Sequence, residues 1–473
     1  MKIKLAALFS AILLLALPLS ARADGGEEAP VYLYELDLAQ VSLCDEADVE
    51  EALGASEEIY APRGIYRTDD PSVIEALAAK GMLACCTLDQ PVYLQGFAED
   101  AAYYRESGDW RQEMLGCRYV SKQGLTGKGV RVGVIDSGLM DGYAEHTGAT
   151  IEAGENFVAE KGSPSRKDTS DGYGHGTFVS SIITDKKYGI AGGVTLIPLR
   201  CFDNSGRSEI SYVVAAIYAA VEDYDCDVIN LSLGARDDNP LMKEAIETAV
   251  NAGVVVVAAA GNITSGSTGN DSVLYPAAYP GVISVGSVFS TKTVSNRSRQ
   301  NRSVDIVAPG AEVIGLDSKT GKYKVDSGTS FAAPVVTAAV ALMKECKPKL
   351  TTEEITGLLE STAQDLGASG YDYSYGYGLV NIGLLLATVR EDESSVILSK
   401  CGSEYAISSY LPTGRDGAVT MLALYNEKGR MLSARSLEKS LCNAPLPDGF
   451  YQLKLFTFHA DTMIPYCEDR RYR

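Results

Sequence analysis

The chain has 473 residues, enough for one large core plus smaller modules, because single cores stop growing at about 250 to 300 residues. Its formal net charge is −20. With no basic stripe visible, that acidity excludes nucleic acid and anionic membrane surfaces as partners.

The first residues, MKIKLAALFSAILLLALPLSARAD, set Lys2 and Lys4 before an apolar run from Leu5 to Leu19 and end in Ala21-Arg22-Ala23. A basic start, a short apolar stretch and a small-x-small exit predict a secretory signal peptide over residues 1–23. A membrane anchor needs about 20 apolar residues and has no such exit. No later segment reads as a transmembrane anchor, so the mature chain is expected to be secreted. All ten cysteines follow this segment, in a setting where disulfides persist, although spacing alone does not give their pairing. Cys85 and Cys86 are adjacent rather than spaced as metal ligands, and only three histidines exist, so no zinc site is expected.

Residues 24–105 read as a small α/β module. VYLYELDL has strand composition, DEADVEEAL is helical, and EIYAPRGIYRT is strand-rich but broken at Pro62-Arg63-Gly64. Asp70 caps a helix with Pro71 in its first turn and Gly81 as its stop. One final strand is predicted through MLACCTLDQPVYLQ, followed by an acidic, tyrosine-bearing link.

Residues 106–388 change texture. VRVGVID, VTLIPLRCF, CDVINLSLG, VVVVAAAG and GVISVGSV are short, nearly continuous apolar strands alternating with helices. One helix is predicted over residues 209–221, opened by Ser208, and another over 241–252, capped by Asn239. Strands buried on both faces imply a doubly wound, mostly parallel α/β sheet, whose ligands sit beyond the carboxyl ends of the strands. EDESS, at 391–395, reads as a hinge, and residues 389–473 then read as a C-terminal all-β module resembling a sandwich.

Four polar residues fall at the ends of these elements. Asp136 ends VRVGVID, His175 lies in DGYGHGTFVSS, Asn262 follows VVVVAAAG, and Ser330 opens the apolar helix SFAAPVVTAAVALM. Pro334 limits where that last helix can begin, which sets Ser330 at its positive terminus. Singly, each has a bland reading: a turn aspartate, a core histidine, a turn amide and a helix cap. Jointly they supply an orienting carboxylate, a base, an oxyanion donor and a nucleophile.

VIDSGL, GHGTFVSSII, AAAGN and SGTSFAAP resemble the aspartate, histidine, asparagine and serine motifs of the subtilisin-family serine proteases. INLSLG, YPAAYPGVISVGSV, VDIVAPG and YGYGLVNI extend the resemblance from Asp109 to Leu386. It implies a subtilisin-like fold and peptide-bond hydrolysis, with Ser330 as nucleophile, His175 as base then acid, Asp136 fixing the ring tautomer, and Asn262 holding the oxyanion. It also implies that Ser232-Leu233-Gly234 pair with an extended peptide or protein substrate. Ala259-Ala260-Gly261 then wall the pocket for the residue before the cleaved bond, with Leu274 at its base. No acidic residue occupies these positions, so apolar or small residues are expected there.

Phe331 and Val335 depart from residues common in the family, without removing a role. No cofactor is required by this chemistry; Asp168, Asp171 and Asp185 are candidate calcium ligands, though they form no dense ligand loop. The resemblance further implies that residues 24–105 are a propeptide which assists folding and lays PVYLQGF in the cleft as an inhibitor. Cys44, Cys85 and Cys86 lie before such a cut and the other seven cysteines after it; both totals are odd, which implies free thiols or a bridge across the cut. The alternative is a catalytically idle fold that binds through its β module.

Overall fold

The computed structural model describes residues 30–95, 109–158, 165–263, 272–390, 395–401, 404–410, 418–426, 428, 430–437, 450–459 and 470–472. The signal segment, the link over 96–108 and most of the EDESS hinge lie outside the described residues.

Four antiparallel strands open the chain: β1 (Tyr32–Leu36), β2 (Glu57–Tyr60), β3 (Ile65–Thr68) and β4 (Leu83–Leu88), ordered β2-β3-β1-β4. Between them run α1 (Glu46–Leu53) and α2 (Pro71–Ala79). The α2 start follows its sequence, since the Asp70 carboxylate accepts from Ser72 N and Pro71 holds the first turn. Alternation along β1 gives this sheet two buried faces. Tyr34 and Leu36 join Leu77 and Met82 under the helices, whereas Leu33, with Ile59 and Ile65, packs against the large body.

The predicted final strand divides. After β4 the chain breaks at Asp89-Gln90 and resumes as β5 (Pro91–Leu94), which leaves the small sheet altogether. It runs antiparallel between Ser208–Glu209 and Leu233–Gly234 of the body. Proline at the start of β5, which cannot donate to a ladder, suits a strand that changes partners there.

The body is built on parallel strands β6 (Arg131–Asp136), β7 (Thr195–Arg200), β8 (Val228–Leu231), β9 (Val255–Ala259), β10 (Val282–Val288) and β11 (Ile306–Pro309), in the order β11-β10-β9-β8-β6-β7. Every residue of β8 through β11 is buried, as expected of a sheet covered on both faces. Helices α3 (His175–Thr184) and α6 (Thr329–Cys346) share a core with one face; α4 (Ile210–Glu222) and α5 (Pro240–Asn251) share a core with the other. The fold is thus the expected doubly wound, subtilisin-like α/β sheet.

Helix α5 begins as predicted, with the Asn239 side chain accepting from Leu241 N and Met242 N. The start of α4 differs from the sequence expectation. Ser208 does not cap it; its hydroxyl donates to the Cys201 carbonyl. The buried amides of Ile210 and Ser211, which have no partner within the helix, instead donate to the Gln90 carbonyl and the Asp89 carboxylate of the N-terminal segment. At the C-terminal end, Ser395–Cys401 and Glu404–Tyr410 form a hairpin, and four further strands form an antiparallel sheet. Among the described residues, Cys44, Cys85, Cys86, Cys117, Cys201 and Cys226 carry no disulfide, and no helix is long and apolar enough to cross a membrane.

Candidate active site

Asp136 is the last residue of β6 and His175 the first of α3. The helix start can reach the strand end because residue 176 is glycine: a Cβ there would meet the Gly138 carbonyl at 2.3 Å. His175 Nδ1 lies 2.8 and 2.9 Å from the two carboxylate oxygens of Asp136, and both residues are buried. With the Nδ1 proton donated to that carboxylate, Nε2 is the basic nitrogen. The ring of Phe331 lies tilted beside that of His175, with centroids 5.6 Å apart.

Asp171, a candidate calcium ligand from sequence, has another occupation. Its carboxylate accepts from Ser137 Oγ, Gly174 N, Thr177 N and Thr177 Oγ1. It therefore ties the turn after Asp136 to the helix that carries His175. Asp185 accepts from Lys187 N, Tyr188 N and the Tyr323 hydroxyl, and Asp168 from Ser170 N. Among the described residues no group of three or more His, Cys, Asp or Glu gathers as a metal set.

Ser330 is the second residue of α6, whose 18 residues are buried over nearly their whole length. Pro334 stands inside this helix and has no N–H to give the carbonyl four residues earlier, that of Ser330. The Ser232 hydroxyl takes over this role, donating to Ser330 O at 2.8 Å, while Ser330 Oγ donates back to Ser232 O at 2.8 Å. Ser232 is held in turn by Asn230 Nδ2, and Asn230 by the hydroxyl of Thr337, about two helical turns beyond Ser330. The proline that limits the helix from sequence thus also couples Ser330 to the end of β8.

Asn262 follows the turn after β9, where Gly261 adopts φ 106°. Its side-chain oxygen accepts from both Thr329 N and Thr329 Oγ1 at 3.0 Å, which turns its Nδ2 outward. Asn262 Nδ2 and Ser330 N converge on one acceptor, the carbonyl oxygen of Gln95, at 2.5 and 2.9 Å. Two donors aimed at one carbonyl oxygen polarise it and favour negative charge on it.

The expected peptide-binding residues receive the segment that leads to Gln95. Leu233 and Gly234 pair with Leu94 and Tyr93, and Gln95 N donates to Ser232 O at 3.2 Å. Ala259 and Ala260 are fully buried behind this point. Leu274 packs at the base, since a Cβ on Gly261 would lie 2.4 Å from its Cδ1 and one on Gly234 3.1 Å from it. The residue in this pocket is neither apolar nor small. It is Gln95, 6% exposed.

The structure therefore brings Asp136, His175, Asn262, Ser330 and the residues 232–234 to the carboxyl edge of the sheet. Reading the sequence did not find Gln95 as the residue held there, nor Thr329 as the group that orients Asn262, nor Asp171 as the tie between Ser137 and Thr177. Only the position of Thr329, directly before Ser330 in a run of hydroxyls, pointed toward a supporting role.

Comparison with known proteins gives the same answer as the geometry. A profile of the subtilase family (peptidase S8) matches residues 127–378. Subtilisin DY from Bacillus licheniformis is 36% identical over 269 residues, covering 56% of this chain and 93% of that protein. Subtilisin from Bacillus pumilus is 36% identical, covering 55% and 92%, and the alkaline protease of Alkalihalobacillus alcalophilus 30% identical, covering 71% and 85%. A parallel sheet carrying these motifs at its carboxyl edge, matched over almost the whole of its relatives, means that the chain belongs to the subtilase family of serine endopeptidases.

Proposed function

We propose that the chain is an exported zymogen that cuts itself after Gln95 and then hydrolyses other proteins through an acyl-enzyme. In the proposed reaction, Ser330 Oγ attacks the carbonyl carbon while its proton passes to His175 Nε2. Asp136 holds the ring and stabilises the imidazolium that results. The oxyanion takes its hydrogen bonds from Asn262 Nδ2 and Ser330 N. Collapse breaks the bond to the next residue's nitrogen, which takes the proton from His175. Water, deprotonated by the same ring, then attacks the ester and releases Ser330 and the new carboxylate. The hydroxyl, which donates to the Ser232 carbonyl in the resting arrangement, must first turn toward the ring. Every step is assigned to side chains and backbone amides of this chain.

The observation that carries this reading is the Gln95 carbonyl, which lies between Asn262 Nδ2 and Ser330 N. The strand leading to it, β5, adds to the body's edges on both sides, the way an extended substrate binds. Residues 24–95 are then an internal inhibitor, held also through Asp89 and Gln90 on the start of α4 and through Asn239 Nδ2 on Thr87 and Leu88. Export rests on the signal-like residues 1–23.

Intact-mass analysis of secreted protein tests the proposal. Wild type should yield an enzyme beginning at Gly96 that reacts with a fluorophosphonate probe, and Ser330→Ala should remain uncut and unlabelled. Wild type that labels but retains residues 24–95 in one chain would refute self-processing.

A further inference from the structure

Resting on the reading of Gln95 as the residue before the cleaved bond, we infer that the enzyme selects glutamine at that position, through the backbone amide of Asn262. The buried Gln95 side chain is held at both ends. Its Oε1 accepts from Asn262 N at 2.8 Å, and its Nε2 donates to the Tyr93 carbonyl at 3.0 Å. The second bond lies within the bound peptide itself, so any substrate with glutamine here can form it.

Leu274 explains why the side chain curls back. Its Cδ1 closes the space between Gly261 and Gly234, and the Gln95 amide nitrogen lies only 3.5 Å from where a Cβ on Gly234 would stand. A long rigid ring has no straight path over this floor, whereas the flexible carboxamide folds across it and meets one donor and one acceptor.

Those two partners discriminate among side chains of similar size. Leucine or methionine offers no acceptor and leaves the buried Asn262 N–H unpaired, a loss of about tenfold or more in rate. Glutamate offers acceptors but no donor, and turns a carboxylate oxygen toward the Tyr93 carbonyl. Arg299 lies behind the floor, its Cδ 3.1 Å from a Cβ on Gly261, but its guanidinium donates to the Ser272 carbonyl.

The test uses the full chain after its own processing, with labelling at Ser330 by a fluorophosphonate as the independent check of activity. Quenched fluorescent peptides Pro-Val-Tyr-Leu-X-Gly-Phe are compared with X as glutamine, glutamate, leucine, methionine and phenylalanine. The glutamine peptide is expected to exceed each of the others by about tenfold or more in kcat/KM, with cleavage at the X–Gly bond. Leu274→Ala should narrow the margin over phenylalanine. Equal or faster cutting after leucine, methionine or phenylalanine overturns the selectivity while leaving self-processing standing. A preference for glutamate overturns it too and points to Arg299. Labelled enzyme that degrades casein yet leaves every X–Gly bond intact overturns the placement of Gln95 itself, and with it the inference.

Discussion

The large body and the small N-terminal sheet bury their faces in different ways. The body closes its sheet with its own helices, and α6 alone is buried from Thr329 to Lys344. The N-terminal sheet covers one face with α1 and α2 and gives the other, through Leu33, Ile59 and Ile65, to the body. If the chain is cut after Gln95 as proposed, part of what holds this sheet becomes intermolecular: the Tyr60 ring stacked 5.8 Å from Tyr218, Arg63 paired with Glu222, and Asp89 on Ser211 N. A face that depends on a second surface for its burial can be released, and one closed by its own helices cannot.

Substitutions in the body should act on chemistry and leave this docking intact. Ser330→Ala should lower turnover by about a millionfold, the figure known for the subtilisin nucleophile, while the N-terminal segment stays docked, as protection of the Gln95, Ile210 and Ser211 amides from hydrogen exchange in the uncut chain can show. Asn262→Ala should lower kcat by about 10² to 10³, the scale known for the oxyanion asparagine of subtilisin. Thr329→Val should reproduce a smaller part of that fall in kcat with KM little changed, because it frees the amide that Thr329 orients; an unchanged kcat would count against that role.

Substitutions at the contact should do the reverse. Asp89→Ala removes the acceptor of Ser211 N at the start of α4, which is worth about 1 kcal/mol, or about fivefold in the inhibition constant of the cut N-terminal segment. Peptide turnover by the free enzyme should not change.

A pH-dependent effect on the same contact is expected from Glu35. Burial, and then the Glu244 carboxylate across the contact, push its carboxyl up to about 7, against the opposing pull of Arg63. A carboxyl raised on docking favours the docked state while protonated. That contribution is complete below the ordinary value of 4.5 and is lost as pH rises through about 7. Inhibition should therefore weaken between these values, and Glu35→Gln should flatten the profile. An identical slope in the variant would assign the dependence to another group.

The strands of the body were legible because continuous apolar runs such as VVVVAAAG have few other uses, and Asn239 and Asp70 announced their helices through side chains that act within three residues. The four polar positions were legible for a related reason: each stands where a regular element stops, so its place followed from the element. The misreadings arose where a partner distant in sequence decided the outcome. Ser208 looked like the cap of α4, but Asp89 and Gln90 satisfy its first amides. MLACCTLDQPVYLQ looked like one strand, but its last residues found better hydrogen-bonding edges on the body.

Taken by itself, then, the sequence determined the local and periodic features: the parallel sheet, the helix ends, and the residue types available for peptide hydrolysis at the sheet's edge. Tertiary structure alone decided which carbonyl those groups surround, which side chain fills the pocket, and what orients each donor. Thr329 on Asn262, Ser232 on Ser330 and Asn262 on Gln95 join residues from 67 to 167 positions apart. Hydrogen bonds act over about 3 Å, and no local pattern in a chain records which distant groups folding will bring within that range.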